Sequence, residues 1–304
     1  MLKDLYKEAE DKYYSFFLSA RDKGVKVPLS KEELKQVFML SNFIYQNSVK
    51  SPKIILELVE TGDLFREYLP TEYRHRLDQE IDLKDEDAML VRKLRHIRKR
   101  EMVRIAWRDL LGYSDTLNTM KELSAFADAC IDKSVEIFHA KYSKKYGTPV
   151  GNKSGSPQQL AVIGLGKLGG EELNFSSDID LMFAYPESGN TYSKLSNEEF
   201  FSLVATGIIR LLSKHTEDGF VFRVDTRLRP FGKSGPIVMN FDAMEEYYYS
   251  YGREWERYAL IKARIVGGDR KKGEELLSEL RPFIYRRYLD YTVFDSLREM
   301  NLYF

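Results

Sequence analysis

LAVIGLGKLGGEELNFSSDIDLMFAYP, residues 160–186, is the stretch that decides the fold. An apolar segment leads into a glycine-rich turn, and a second apolar segment carries Asp178 and Asp180 one residue apart. The alternation predicts that this second segment begins a β-strand, in which residues i and i+2 point to the same face. Two carboxylates held that close repel each other unless a cation neutralises them. We therefore expect both side chains to lie within reach of a common divalent metal ion.

The composition of the chain excludes several classes of protein. The 304 residues carry 47 Lys and Arg against 47 Asp and Glu, so no overall positive charge attracts nucleic acid. Cys130 is the one cysteine, which rules out a disulfide framework and fits a reducing compartment. The N-terminus has no signal-peptide core, and no segment has the apolar length of a membrane span. We expect a soluble cytoplasmic protein with neither a nucleic-acid nor a membrane partner.

Residues 1–146 have the pattern of an all-helical domain. Ser30 precedes an amphipathic run with Glu33 in the N3 position, which predicts a capped helix start. Further along, breaks at Pro70 and Asp78 predict short helices.

A long helix is predicted over residues 85–113, where apolar side chains recur at helical spacing. Its other face is rich in Arg and Lys, which favours a solvated surface, with a docking surface as the alternative. The basic residues are Arg92, Lys93, Arg95, Arg98, Lys99, Arg100, Arg104 and Arg108.

The pattern changes after residues 147–157, whose Gly, Pro and Ser content is typical of a linker. Strands and helices then follow in mixed order, which predicts an α+β catalytic domain over residues 158–304. Strands are expected at 160–166, 179–185 and 219–228, and helices at 197–215, 241–251, 254–264, 274–280 and a last one ending near Met300.

The glycine turn also has to be weighed as a dinucleotide-binding fingerprint. Residues 164–169 match G-x-G-x-x-G after a strand. The segment 171–177 is too short for the crossover helix that such a fold requires, and the strand carrying the aspartates follows instead. We therefore prefer another interpretation of the glycines.

Three features together indicate a site for phosphoryl or nucleotidyl transfer. Gly169 and Gly170 offer backbone N–H groups that are not covered by side chains, as phosphate binding requires. The carboxylates of Asp178 and Asp180, completed by Asp225 on a later strand, are hard oxygen ligands suited to Mg²⁺. The strand 219–228 would place arginines on the same face as Asp225, where Arg227 and Arg229 bind phosphate oxygens. The alternative is an Asp–Arg ion-pair network on a sheet face.

These residues resemble the DNA-polymerase-beta-like nucleotidyltransferase superfamily, whose signature is Gly-Gly or Gly-Ser, then Asp-x-Asp, then a third Asp. More closely, three blocks resemble the family of bifunctional glutamine synthetase adenylyltransferase/adenylyl-removing enzymes. The blocks are GLGKLGGEELNFSSDIDLMFAYP at 164–186, GFVFRVDTRLRPFGKSGPIVM at 219–239 and GREWERYALIKARIV at 252–266.

The resemblance implies a nucleotidyltransferase-type mixed sheet with flanking helices, preceded by an all-helical domain and followed by helices. That family carries two such units in tandem, and FGKSGP at 231–236 and the helical first half are similar to its N-terminal, adenylyl-removing unit. The implied activity is phosphorolysis: phosphate attacks the AMP–tyrosine bond of adenylylated glutamine synthetase and releases ADP. Adenylyl transfer from ATP, or a non-catalytic module that binds glutamine synthetase or a PII signal protein, are the alternatives.

The resemblance also implies roles for individual residues. Mg²⁺ would be bound by Asp178, Asp180 and Asp225. The phosphates of the nucleotide would be bound by Gly169, Gly170, Ser177, Arg227 and Arg229, where Ser177 is equally well explained as the residue that begins a strand.

Overall fold

The computed structural model of the protein describes residues 2–285, with side chains from residue 6 onward. The predicted helix ending near Met300 lies outside these residues. The described helices are α1 Leu2–Asp22, α2 Lys31–Leu40, α3 Asn42–Lys50, α4 Pro52–Glu60, α5 Pro70–Glu80, α6 Asp87–Leu110, α7 Thr116–Tyr146, α8 Gly166–Gly169, α9 Asn197–Ser213, α10 Phe241–Ser250, α11 Glu254–Ile261, α12 Arg270–Glu279 and α13 Arg281–Ile284. The strands are β1 Val150–Gly151, β2 Ala161–Leu165, β3 Ile179–Tyr185, β4 Gly189–Asn190, β5 Val224–Asp225, β6 Val238–Asn240 and β7 Arg264–Gly268.

The first half of the chain is helical, as predicted. The Glu33 amide donates to the Ser30 hydroxyl at 3.1 Å, so the predicted cap of α2 is confirmed. The predicted break at Asp78 is wrong. α5 continues through Asp78 because its carboxylate pairs with Arg74 one turn earlier, with Arg74 Nε 3.0 Å from Oδ1.

Only part of the basic face of α6 is solvated, which corrects the sequence prediction: Arg92 is exposed, but four of the eight basic residues are buried. Arg95 and Arg104 are completely buried and Arg100 is 1% exposed. Arg104 Nε donates to Glu101 at 2.8 Å, and its Nη2 donates to Glu122 at 2.7 Å. Buried acidic partners therefore neutralise Arg100 and Arg104, since an unpaired buried charge would be strongly unfavourable. Arg95 donates to backbone carbonyls instead, among them that of Gly219 at 2.9 Å.

The central sheet has strand order β5-β3-β2-β7, and β6 also pairs with β3. β2 is antiparallel to both β3 and β7, whereas β5 and β6 are parallel to β3. The sheet is mixed and flanked by helices, so the predicted α+β fold is confirmed. β1 lies within the predicted linker and β4 just after β3. The two strands pair with each other in a separate two-stranded sheet.

Both faces of the sheet are covered by apolar side chains. On one face, Val162 and Phe183 pack with residues of α5, α6, α7 and α9 in a single core. On the other face, Ile163 and Met182 pack with residues of α10 to α13. A third core joins α1 to α4 with Trp107 of α6. The first core contains residues from both sides of the segment 147–157, and the division into domains 1–146 and 158–304 stays a prediction.

Three strands of the central sheet, β5, β6 and β7, differ from the prediction. Of the predicted strand 219–228, only Val224 and Asp225 join the central sheet, and residues 227–230 form a turn. β6 was not predicted because it has only three residues. The helix predicted over 254–264 ends at Ile261, and Arg264 begins β7 instead, since pairing with β2 outweighs the helical spacing.

No helix within residues 2–285 is long and apolar enough to cross a membrane.

Candidate active site

The register between β3 and β5 brings two of the predicted carboxylates together. Asp180 and Asp225 are direct partners in this parallel pair, so their side chains lie on the same face of the sheet. Asp178 comes just before the first residue of β3 and is exposed. Its carboxylate accepts a hydrogen bond from Arg223 Nε, and the same guanidinium donates to the Ser176 carbonyl at 2.5 Å.

Asp180 is the central acid of this group. Its side chain is partly buried, and within residues 6–285 its carboxylate makes neither a hydrogen bond nor an ion pair. Burial, and then the nearby charges of Asp225 and Asp178, raise the pKa of Asp180 to about 6, against a smaller opposing effect of Arg227. The three acids therefore form one electrostatic cluster, with an unpaired carboxylate in the middle.

Asp225 is held by the residue two positions after it. The Arg227 amide donates to Asp225 Oδ1 at 2.8 Å, and Arg227 Nε donates to Oδ2 at 2.7 Å. The hydrogen bond from the Arg227 side chain is the largest effect on the pKa of Asp225, which is lowered despite partial burial; Lys233 lowers it further. Arg227 is exposed. Its pKa is raised by the hydrogen bond to Asp225 and by the negative charges of Asp225, Asp180 and Asp178.

The arginines do not lie along one strand face with Asp225, which corrects the sequence prediction. Arg223 contacts Asp178, Arg227 returns to Asp225 from a turn, and Arg229 donates to backbone carbonyls of the loop that follows. The reason is that β5 ends at Asp225, so the alternation of side chains stops there.

The structure gives the two predicted glycines different surroundings. Gly169 is buried, and a Cβ atom at this position would lie 1.9 Å from the Lys262 carbonyl oxygen. Gly170 is partly exposed, and a Cβ atom there would meet only the side chains of Glu172 and Lys262, at 3.2 Å. The close approach of Lys262 explains why Gly169 has no side chain, independently of any phosphate.

Gly166 is a site residue that the sequence analysis missed. It has φ +55°, and a Cβ atom at Gly166 would lie 2.5 Å from Asp180 Oδ2. The available signal was its place directly after the apolar strand β2, where the chain has to turn.

Ser177 belongs to the turn that leads into β3. Its hydroxyl donates to Asn174 Oδ1 at 2.9 Å and accepts from the Asn174 amide at 3.3 Å. These bonds shape the turn before Asp178. They give Ser177 a structural role, and its contact with phosphate stays a prediction.

The donor set of the cluster fits Mg²⁺ in its chemistry, because three carboxylates supply hard oxygen ligands. Asp180 fits best, since it has no competing partner among the described residues. Asp178 and Asp225 face Arg223 and Arg227 instead. With the side chains so paired, no group of three or more acidic, His or Cys residues within the described part of the chain has the arrangement of a metal site.

Comparison with known proteins identifies the family. The family model described as glutamate-ammonia ligase adenylyltransferase matches residues 31–279. The chain belongs to this family. The resemblance found in the sequence is thereby confirmed.

Relatives of this adenylyltransferase-family chain carry the name bifunctional glutamine synthetase adenylyltransferase/adenylyl-removing enzyme. The protein from Pseudomonas aeruginosa is 49% identical over 274 residues, which cover 89% of this chain and 28% of the relative. The protein from Nitrosococcus oceani is 50% identical over 268 residues, covering 87% and 28%. The protein from Thioalkalivibrio sulfidiphilus is 47% identical over 284 residues, covering 93% and 29%. The chain thus spans less than a third of the length of these relatives.

Proposed function

We propose that this chain removes AMP from the adenylylated tyrosine of glutamine synthetase by phosphorolysis, and so regulates nitrogen assimilation in the cytoplasm. It corresponds in this proposal to the N-terminal, adenylyl-removing unit of the longer relatives. The substrate is taken from the relatives' names, which join adenylyl transfer and adenylyl removal on glutamine synthetase. A PII signal protein is a further proposed partner.

The observation that carries the proposal is the pairing of Asp180 with Asp225. Two carboxylates in register on neighbouring parallel strands, with Asp178 beside them, concentrate negative charge at one edge of the sheet. An Asp–Arg ion-pair network accounts for Asp178 and Asp225 but not for Asp180, whose partly buried carboxylate has no partner within the described residues. Such an arrangement is typical of a site that acts on charged ligands.

The proposed reaction exchanges one phosphorus–oxygen bond for another. An oxygen of hydrogen phosphate bonds to the phosphorus of the AMP group while the bond from that phosphorus to the tyrosine oxygen breaks. The proton of hydrogen phosphate ends on the tyrosine oxygen, and the products are ADP and unmodified tyrosine. Mg²⁺ held by Asp178, Asp180 and Asp225 would supply positive charge for the attacking and leaving oxygens.

The chain's own residues orient the reactants in this proposal. Arg227 is exposed beside the three acids. When its guanidinium releases Asp225, it can bind a phosphoryl oxygen of the substrate. Arg223 has the same relation to Asp178. Gly166 leaves room for the Asp180 carboxylate, which must be free of neighbouring side chains to accept a ligand.

A second candidate is adenylyl transfer in the forward direction, from ATP to the tyrosine. The relatives' names include both activities, and the same acids serve attack by tyrosine and attack by phosphate. FGKSGP at 231–236 favours removal, because it is similar to the adenylyl-removing unit.

The deciding experiment incubates the 304-residue chain with adenylylated glutamine synthetase, Mg²⁺ and phosphate and identifies the released nucleotide. We expect ADP, formed only when phosphate is present, and its loss in Asp180→Asn. Asp242→Asn is the matched control, since Asp242 is an exposed carboxylate paired with Lys153.

Each other outcome contradicts a different part of the proposal. Labelled AMP transferred from ATP to unmodified glutamine synthetase would favour the forward reaction. Activity that persists in Asp180→Asn would refute the site. Absence of both reactions, together with binding of glutamine synthetase or a PII protein, would favour the non-catalytic module.

A further inference from the structure

The segment between β5 and β6 forms a tight loop at the edge of the acidic cluster. Phe231 and Gly232 both have positive φ, +60° and +57°, and a Cβ atom at Gly235 would lie 2.1 Å from the Pro230 carbonyl oxygen. A phenylalanine in the left-handed region costs about 1 kcal/mol or more. The loop therefore needs other interactions to keep this shape.

Arg229 supplies those interactions from inside the loop. Its Nη1 donates to the carbonyl and hydroxyl of Thr226 at 2.7 and 3.0 Å, and its Nη2 donates to the carbonyls of Lys233 and Gly235 at 3.2 and 3.1 Å. Its Nε donates to the Pro236 carbonyl at 3.0 Å. All five N–H groups of the guanidinium are thus directed at the loop. These bonds to the loop occupy the side chain of Arg229, for which the sequence predicted a contact with phosphate.

Aromatic packing fixes the loop from the other side. The centroid of the Phe231 ring lies 4.4 Å from that of Tyr247 on α10 and 6.3 Å from that of Tyr251, the residue directly after this helix. Such contacts orient the segment relative to the helix that covers this face of the sheet. The backbone of the loop is thus held from two sides, which fixes the point from which the Lys233 side chain extends.

Lys233 is a positively charged residue on the exposed side of this loop. Its side chain is exposed, and within residues 6–285 its ammonium group forms no ion pair or hydrogen bond. Its loop lies against the turn that follows Asp225, because a Cβ atom at Gly232 would lie 3.7 Å from the Arg227 carbonyl oxygen. Arg223 and Arg227, by contrast, are paired with Asp178 and Asp225.

We propose that Lys233 binds the attacking inorganic phosphate and that Arg229 is a positioning residue that holds the Lys233 loop in place. The inference rests on the proposed function, because it assigns the phosphate subsite of that reaction. An ammonium group suits this ligand because it is a compact charge with three donors and does not require one fixed orientation of the anion. A lysine without an ion-pair partner among the described residues can also contact the incoming phosphate without first breaking another bond.

The test measures ADP release by the full chain while phosphate is varied, with adenylylated glutamine synthetase and Mg²⁺ fixed. Lys233→Gln is expected to raise KM for phosphate about tenfold or more while kcat changes less than threefold. Lys233→Arg keeps the charge and is expected to recover most of the affinity. Lys121→Gln, an exposed lysine on α7, is the control and should behave as the unmodified chain does.

Arg229→Lys separates positioning from binding. It keeps a positive charge but cannot reproduce the five donors, so KM for phosphate should rise by a similar factor. The Arg229→Lys, Lys233→Gln double variant should be little worse than either single variant, because both disturb one contact. If the increase in KM of the double variant equals the product of the increases in the two single variants, Arg229 binds phosphate by itself and its positioning role is overturned.

A binding experiment distinguishes failure of this inference from failure of the proposed function. The thermal shift caused by inorganic phosphate alone should be lost in Lys233→Gln and kept in Lys121→Gln. If the chain releases ADP but Lys233→Gln leaves KM for phosphate unchanged, the inference is overturned and the function stands. If the chain releases no ADP, the phosphate shift decides: its loss in Lys233→Gln supports the subsite, and its persistence overturns it.

Discussion

Gly166 leaves the space that the Asp180 carboxylate occupies, since a Cβ atom on Gly166 would lie 2.5 Å from Asp180 Oδ2. Gly166→Ala must therefore move the central acid of the site. We expect activity to fall by about 100-fold, because a displacement of about 1 Å at a reacting centre has that effect. The positive φ of Gly166, +55°, adds a stability cost of about 1–2 kcal/mol. Initial rates and urea unfolding measure the two effects.

Gly155→Ala is the matched control for that substitution. Gly155 has φ +64° and no atom within 4 Å of the position of a Cβ. It should show a similar loss of stability with normal activity. Equal activity in both variants would contradict the role given to Gly166.

Gly169 and Gly170 should respond differently to alanine. Gly169→Ala would bring its Cβ to 1.9 Å from a backbone oxygen, and overpacking of this kind costs about 1–3 kcal/mol. Gly170→Ala meets only flexible side chains at 3.2 Å and should change stability by less than about 0.5 kcal/mol. Denaturant titration compares the two. Equal stabilities would show that the approach of Lys262 does not explain Gly169.

Asp180→Asn should abolish the response of the chain to Mg²⁺. The variant removes an unpaired charge beside two like charges, so without metal its Tm should equal or exceed that of the unmodified chain. Mg²⁺ at 100 times its Kd stabilises a folded protein by about 2.7 kcal/mol, which should raise Tm of the unmodified chain and of Asp242→Asn by several degrees. A full Mg²⁺ shift in Asp180→Asn would place the metal elsewhere.

The sequence predicted the elements whose signals are local. β3 has the predicted limits 179–185, because its apolar run is bounded by polar residues on one side and Pro186 on the other. The cap at Ser30 depends on one hydrogen bond within a single turn. The glycine turn and the three acids were identified for the same reason, since they form short patterns of few residue types.

The missed features depend on contacts between distant residues. β7 follows α11 without a break in apolar spacing, and pairing with β2 decides its structure. The arginines of α6 occur at the spacing of an exposed helix face. Arg104 is nevertheless buried, and its guanidinium pairs with Glu122, 18 positions along the chain. The sequence predicted Arg229 and not Lys233 as a phosphate ligand, because the loop carbonyls that accept from Arg229 come together only in the folded chain.

The acidic residues that neutralise α6 predict how stability depends on pH. Burial alone would raise the pKa of Asp63, but hydrogen bonds from Tyr68, Thr61 and Arg100 outweigh it and hold the pKa well below its usual range. The ionised carboxylate therefore stabilises the fold above the unfolded-state pKa of about 3.9. This contribution is lost as the pH falls from about 4 towards the lower folded-state value.

Asp63→Asn should therefore matter most near neutral pH. At pH 7 it leaves the buried Arg100 short of a partner, which costs about 3 kcal/mol. Near pH 3 the Asp63 carboxyl of the unmodified chain is largely protonated in the unfolded state but still ionised in the folded state, so the difference in unfolding free energy between the two proteins should shrink. Asp11→Asn, an exposed acid on α1, is the control and should change stability little at either pH. A difference that stays constant from pH 7 to pH 3 would show that the charge of Asp63 is not what stabilises this network.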